Sequence, residues 1–171
     1  MWCNPALLDT SLSFLRAAPL PQPDLGPTWR VLVVDNDPDV HAATCAALEG
    51  QMLFERPLVF MHAFSGDEAR RLLLREHDLA MVLIDVVSER ASAGLDLVDF
   101  IRHSAGLRNT RIVLRTGRPG QVPDLQTLLR YDINDYRTKA ELTRDRLLAM
   151  VVTAVRSYKQ LCAVHASAYH D

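Results

Sequence analysis

Short apolar runs alternate with helix-like patterns along most of the chain. The first run, 31–34, is rich in β-branched residues; Asp37-Pro38 then favours the start of a helix, and apolar positions keep helical spacing as far as Gly50. The second run, 58–63, precedes Ser65-Gly-Asp-Glu68, which has the pattern of a capping box. The predicted strands are 31–34, 58–63, 79–84, 111–114 and 135–137, and the predicted helices are 40–48, 65–73, 95–101, 123–131 and 142 to at least 159.

This alternation predicts the class of fold. Strands that are apolar throughout are buried on both faces, and regular alternation with helices indicates a parallel sheet covered on each side. Five such units in about 130 residues predict an α/β, doubly wound, five-stranded parallel sheet of the flavodoxin-like kind, with an extended C-terminal helix. In such sheets ligands bind at the carboxyl ends of the strands.

The ends of the chain differ in pattern from its middle. Leucines at 8, 12 and 15 have the spacing of a short amphipathic helix, and 18–27 holds four prolines and a glycine, as in an extended linker. We therefore expect an N-terminal segment and linker at 1–28, a folded domain at 29–158 and a helical extension or tail at 159–171.

A second pattern runs along the last helix, where apolar positions recur with 3,4 spacing. Such spacing is typical of a heptad seam leading to a dimer or a further domain, and the alternative is a long helix that packs on the sheet. The positions are Leu148, Val151, Val155, Tyr158, Cys162 and His165.

Composition narrows the classes of function. With 171 residues, 49% hydrophobic and 23% charged, the chain fits one globular domain. A net charge of −2 gives no positive excess for binding nucleic acid directly. Three cysteines without metal-ligand spacing, no signal-peptide pattern and no apolar run of membrane-spanning length predict a soluble, cytoplasmic protein that binds no membrane.

Polar side chains follow the predicted strands at the edge where ligands bind. Asp35, Asn36 and Asp37 come after the first strand and Asp85 after the third. Carboxylates held together repel each other, and a hard cation such as Mg²⁺, which prefers oxygen ligands, relieves that repulsion. Thr116 follows the fourth strand and Lys139 comes just after the fifth. They complete a set that suits a phosphoryl group, whose phosphorus a carboxylate can attack.

Four motifs carry a family resemblance. VLVVDNDPDV, LIDVV, VLRTG and DYRTKAEL together resemble the receiver (CheY-like) domain of two-component response regulators over 29–158. GLDLVDFIR, LRTGRPGQ and YDINDY are similar to receivers at the N-terminus of regulators that carry cyclic-di-GMP phosphodiesterase domains. The resemblance implies the strand order 2-1-3-4-5, a strand order for which the chemotaxis receiver is itself the standard example.

The resemblance also implies roles for particular residues. Asp85 corresponds to the phosphoacceptor, which receives a phosphoryl group from a sensor histidine kinase or a phosphotransfer protein. Asp35 and Asn36 correspond to the acidic pair that, with Asp85 and the backbone carbonyl of Val87, holds Mg²⁺.

Three further residues correspond to the parts that respond to the phosphoryl group. Thr116 donates to a phosphoryl oxygen, Lys139 pairs with it, and Tyr136 is the aromatic switch residue. Such a protein is a phosphoacceptor rather than a turnover enzyme. The face that changes is formed by the fourth helix, fifth strand and fifth helix, which implies a homodimer there or a downstream effector domain.

The sequence departs from the family pattern at two positions. Asn36 places an amide where an acidic residue is usual, and less negative charge predicts weaker Mg²⁺ binding. Ala140 stands after Lys139 where a proline is usual. Asp37, directly before Pro38, is expected to cap the first helix and not to bind metal.

Two other interpretations stay open. One alternative is a degenerate receiver, in which Asn36 has weakened the metal site and the chain acts as a phosphorylation-independent interaction module. A remote alternative is a haloacid-dehalogenase-type phosphatase, with Asp35 and Asp37 as its DxD pair and Glu141 and Asp145 as its later acids. That reading leaves Asp85 without a role.

Overall fold

A six-stranded, mostly parallel sheet forms the centre of the molecule. The computed structural model describes residues 27–86, 91–117 and 125–168, so the predicted N-terminal helix, most of the linker and Val87 lie outside the described residues. The strands are β1 (Trp29–Val34), β2 (Met52–Leu53), β3 (Arg56–Ala63), β4 (Met81–Val86), β5 (Arg111–Thr116) and β6 (Asp135–Thr138). The helices are α1 (Pro38–Leu48), α2 (Gly66–Leu73), α3 (Ala91–Asp99), α4 (Leu125–Tyr131) and α5 (Arg144–Ala168).

The sheet order is β2-β3-β1-β4-β5-β6, which corrects the expected number of strands from five to six. The additional strand, β2, pairs antiparallel with β3 across a tight turn in which Phe54 and Glu55 have φ angles of 48° and 65°. Short turns of this kind usually carry glycine or asparagine, and because neither residue is present here, a hairpin was not predicted. The other five strands are parallel and keep the order that the family resemblance implies.

Each face of the sheet has its own layer of helices. On one face, Leu73 of α2 and Leu97 of α3 are buried in a cluster with alternate strand residues such as Leu32 and Ile112. On the other face, Leu48 of α1 and the inner side of α5 pack on the intervening strand residues. In β1, β4 and β5, even-numbered residues therefore contact α2 and α3, and odd-numbered residues contact α1 and α5.

Helix α5 uses its apolar stripe on the sheet. Val151, Val155 and Tyr158 are buried there and Cys162 is partly buried against the same cluster, while His165 is exposed. As far as Cys162, the 3,4 spacing is therefore a packing pattern and not a free heptad seam. Among the described residues, α5 alone is long and apolar enough to cross a bilayer by length and composition, and part of it is buried in this domain.

Two predicted helix caps, Asp37 and Ser65, are confirmed. The Asp37 side chain accepts the N–H of Asp39 at 3.0 Å, with Pro38 as the first residue of α1. Ser65 accepts the N–H of Glu68 at 3.2 Å. The Glu68 carboxylate reaches one residue further back than a standard capping box, to the N–H of Phe64 at 2.8 Å.

Helix α3 continues into one π-helical turn, Phe100–Ser104, which contains a buried arginine. The Arg102 guanidinium donates to the carbonyls of Leu107 at 2.9 Å, Thr110 at 2.7 Å and Asp132 at 2.9 Å. One side chain thereby joins the π-helical turn to the loop before β5 and to the turn between α4 and β6.

Candidate functional site

The register of the sheet brings three charged residues to the same edge. Val34 pairs with Ile84, and Asp85 pairs with Arg115 on the next strand. Asp35, one residue beyond β1, therefore lies beside Asp85. Alternation directs the Arg115 side chain to the face covered by α1 and α5, where it contacts Thr44 of α1.

Lys139 joins the two carboxylates. Its Nζ lies 3.1 Å from Oδ2 of Asp35 and 3.1 Å from Oδ2 of Asp85. Lys139 begins a single 3₁₀ turn after β6 in which Glu141 accepts the N–H of Thr138 at 2.9 Å. That hydrogen bond lowers the pKa of the Glu141 carboxyl and stabilises the turn that presents the ammonium.

A second cation, Arg115, was not predicted. Its Nη2 donates to Oδ2 of Asp35 at 2.9 Å and its Nη1 to the Thr44 hydroxyl of α1 at 3.3 Å. The Arg115 side chain is only 5% exposed. The indication in the sequence was a charged residue at the end of an otherwise apolar strand, which is rare without a partner.

The two carboxylates differ in how their oxygens are used. Oδ1 of Asp35 accepts the N–H of Asp37 at 2.9 Å, and its Oδ2 meets both cations. In Asp85, Oδ2 meets Lys139 and Oδ1 is buried with no hydrogen-bond partner within the described part of the chain. Burial, and then the Asp35 charge, raise the pKa of Asp85, although Lys139 and Arg115 oppose the rise.

An open pocket of about 280 Å³ lies beside these groups, lined by Asp35, Asn36 and Asp85 together with the start of α2 and the inner side of α3. The carboxylate and amide oxygens of these three residues are donors of the kind that a hard divalent cation prefers. Across the described ranges, however, no three histidine, cysteine or acidic side chains form a metal-ligand group. The types of donor suit Mg²⁺, but only two of the three side chains, Asp35 and Asp85, are acids, and the third, Asn36, is an amide.

The two remaining predicted residues lie near this edge of the sheet but do not line the pocket. Thr116 is buried at the end of β5, where it pairs in register with Val86 and Thr138. Tyr136, in β6, is partly buried against the core on the α2–α3 face. Val87, the fourth predicted contributor to the metal site, lies outside the described residues.

Sequence reasoning also missed a chain of hydrogen bonds behind Asp35. Nε2 of His41 lies 2.8 Å from the Asp35 carbonyl, Nδ1 of His41 lies 2.9 Å from Nδ1 of His62, and Nε2 of His62 lies 3.7 Å from Sγ of Cys45. A carbonyl can only accept, so neutral His41 donates from Nε2 and accepts at Nδ1 from His62. The position of the loop after β1 is thereby tied to two histidines that are 21 residues apart.

Solved structures share this architecture. A signal receiver domain of a LuxO repressor homologue from Vibrio parahaemolyticus superposes with a TM-score of 0.65 at 19% identity, covering 81% of this chain and 98% of the other. The chain has the receiver-domain fold. The N-terminal domain of a response regulator/sensory box/GGDEF three-domain protein from Carboxydothermus hydrogenoformans superposes with a TM-score of 0.62 at 16% identity, covering 78% of this chain and 98% of the other.

A curated sequence relative of this chain is a 3′3′-cGAMP-specific phosphodiesterase from Vibrio cholerae. The two are 42% identical over 136 residues, which is 80% of this chain and 26% of the relative. The chain thus spans about a quarter of the length of that protein. These similarities confirm the resemblance that the four motifs carry, and no family model matches the chain.

Proposed function

We propose that this receiver is a response-regulator module that accepts a phosphoryl group on Asp85 from the phosphohistidine of a sensor kinase or phosphotransfer protein. The observation that supports this most directly is that the two oxygens of the Asp85 carboxylate have different environments. Lys139 holds one oxygen, and the other has no partner among the described residues at the edge of an open pocket. That oxygen forms the bond to phosphorus as the bond between histidine nitrogen and phosphorus breaks.

In this proposal Mg²⁺ is held by Asp35, Asn36 and Asp85 with the Val87 carbonyl, and it neutralises charge on the phosphoryl oxygens. Lys139, already in contact with Asp85, pairs with a phosphoryl oxygen. Thr116 donates to another phosphoryl oxygen.

The output proposed for the domain is a change on the face formed by α4, β6 and α5, in which Tyr136 acts as the switch residue. Helix α4 exposes Leu125 by 70% and Leu129 by 74%, which is apolar surface suited to a partner or a second copy of the chain. The Vibrio relative is about four times longer than the matched region, so we place this receiver in a cytoplasmic regulator with a downstream effector domain. The receiver itself is a phosphoacceptor and not a turnover enzyme.

A second candidate function is an interaction module that works without phosphorylation. It is favoured by the amide at Asn36 and by the two cations that already pair with the site's two carboxylates. The phosphatase interpretation is weakened, because the Asp37 side chain caps α1. Turnover of a phosphomonoester that survives Asp85→Asn would revive it.

Acetyl phosphate distinguishes the first two candidates. Incubation of the chain with acetyl phosphate and Mg²⁺ should add the mass of one phosphoryl group, and the Asp85→Asn variant should gain none. Asp39→Asn, which changes an exposed carboxylate of the same region, is the matched control and should gain as much as the unmodified chain. No gain in the unmodified chain would support the phosphorylation-independent module.

A further inference from the structure

Arg115 brings a permanent positive charge into the acidic site. Its guanidinium spans from Asp35 on one side to Thr44 on the other, and its side chain is almost fully buried. On the sheet it is the register partner of Asp85. A charged side chain with two anchors on different elements is held in place and cannot move away freely into solvent.

The formal charges of the site balance without any added ion. Asp35 and Asp85 carry one negative charge each, and Lys139 and Arg115 one positive charge each, while Asn36 is neutral. Repulsion between unpaired carboxylates is what makes such a site attract a divalent cation. Here Lys139 and Arg115 already reduce the repulsion between the carboxylates. A metal ion bound to Asp35 would also be repelled by these two cations, which both contact Oδ2.

We propose that Arg115 is a resident counterion of Asp35. It neutralises part of the negative charge that would otherwise attract a divalent cation, and the site therefore has a low affinity for Mg²⁺. The inference rests on the proposed function, since it concerns the same site. It assigns to Arg115 a positioning and charge-balancing role, because the guanidinium acts through Asp35.

A purely structural salt bridge is the simplest competing explanation. In that case Arg115 would stabilise the fold, and its charge would leave metal binding unaffected. The two explanations differ for a variant that keeps a polar, hydrogen-bonding side chain but loses the charge, which is Arg115→Gln. Arg115→Lys keeps the charge and is its matched control.

Calorimetric titration of the full chain with MgCl₂ tests the proposal. Arg115→Gln should lower the dissociation constant for Mg²⁺ roughly tenfold or more, because a unit charge close to a divalent ion is removed. Arg115→Lys should bind Mg²⁺ as weakly as the unmodified chain. Equal affinity of the Gln variant and the unmodified chain would overturn the proposal, and so would equal tightening by Lys and Gln.

The unmodified chain supplies a second measurement in case Arg115→Gln does not fold. Its melting temperature should be unchanged by MgCl₂ at tens of micromolar and should rise only at millimolar concentrations, as expected for a weak ligand of the folded state. A rise at tens of micromolar would overturn the proposal. Mass analysis after acetyl phosphate treatment tests phosphorylation of Asp85 separately, so failure of the proposed function can be told apart from failure of this inference.

Discussion

Replacing the proposed phosphoacceptor should stabilise the protein. Burial and the nearby Asp35 raise the pKa of Asp85, so the folded state disfavours its charged form. Oδ2 of Asp35 and Oδ2 of Asp85 are at most about 6 Å apart, since each lies 3.1 Å from the same ammonium of Lys139. At an effective dielectric constant of about 20, two unit charges at that distance repel by about 3 kcal/mol.

Asp85→Asn removes this repulsion and the cost of burying a charge. It also removes the attraction between Asp85 and Lys139, but the ammonium of Lys139 still pairs with Asp35. We expect a net gain of about 1 kcal/mol in the free energy of unfolding at pH 7.5, as is common when a functional strain is relieved. For a chain of this size that corresponds to a rise in Tm of about 2–4 °C.

The difference in Tm should depend on pH. Because the pKa of Asp85 is raised from its ordinary value of 3.8, there is a pH range in which the folded state holds a proton that the unfolded chain has lost. The stability of the unmodified chain therefore falls as the pH rises through this range, and the loss is complete above the folded pKa. The asparagine variant has no such loss, so its advantage should shrink as the pH is lowered towards 4.

Thermal unfolding followed by circular dichroism at pH 7.5 and at about pH 4 measures both effects. Asp96→Asn, which replaces an exposed carboxylate on α3, is the control and should melt with the unmodified chain. If Asp85→Asn melts below the unmodified chain at pH 7.5, the attraction of Lys139 outweighs burial and repulsion, and the reasoning given for the raised pKa fails.

Three further predictions concern other parts of the structure. Arg102→Met should lower the free energy of unfolding by about 2–4 kcal/mol in urea, because buried carbonyls lose their donor, whereas exposed Arg71→Met should change it little. Burial, and then His41, lower the pKa of His62, so stability should fall as the pH drops below about 6.5; a His62→Gln variant with the same pH slope would contradict this. Asn36→Asp should tighten Mg²⁺ about tenfold in a calorimetric titration, and an unchanged titration would remove Asn36 from the site.

Local rules of sequence were enough for much of the architecture. The apolar runs predicted four of the five parallel strands, because a strand buried on both faces needs apolar residues throughout. The fifth, β6, is a polar, partly buried strand at the edge of the sheet. Asp37 and Ser65 were identified as helix caps because capping depends on residues only a few positions apart. The hairpin that forms β2 was missed, since its turn residues, Phe54 and Glu55, are not of the types that usually adopt positive φ.

The 3,4-spaced stripe of α5 shows the limit of pattern alone. Its spacing fits both a heptad seam and a helix packed on a sheet, because each buries one face of a helix. Only the assembled domain shows that Val151, Val155 and Tyr158 are buried against the sheet. The contact between His41 of α1 and His62 of β3 is likewise visible only in the assembled domain, because the two residues lie on different elements.

By itself the sequence determined which acids and which lysine lie at the carboxyl edge of the sheet, because each follows directly from a strand end. It did not determine how their charges are balanced. That depends on the register of β4 against β5, which sets Arg115 beside Asp85, and on α1, whose Thr44 holds the guanidinium against Asp35. Electrostatic partners are fixed by distances of a few ångströms between segments far apart in the chain, and only the tertiary structure supplies those distances.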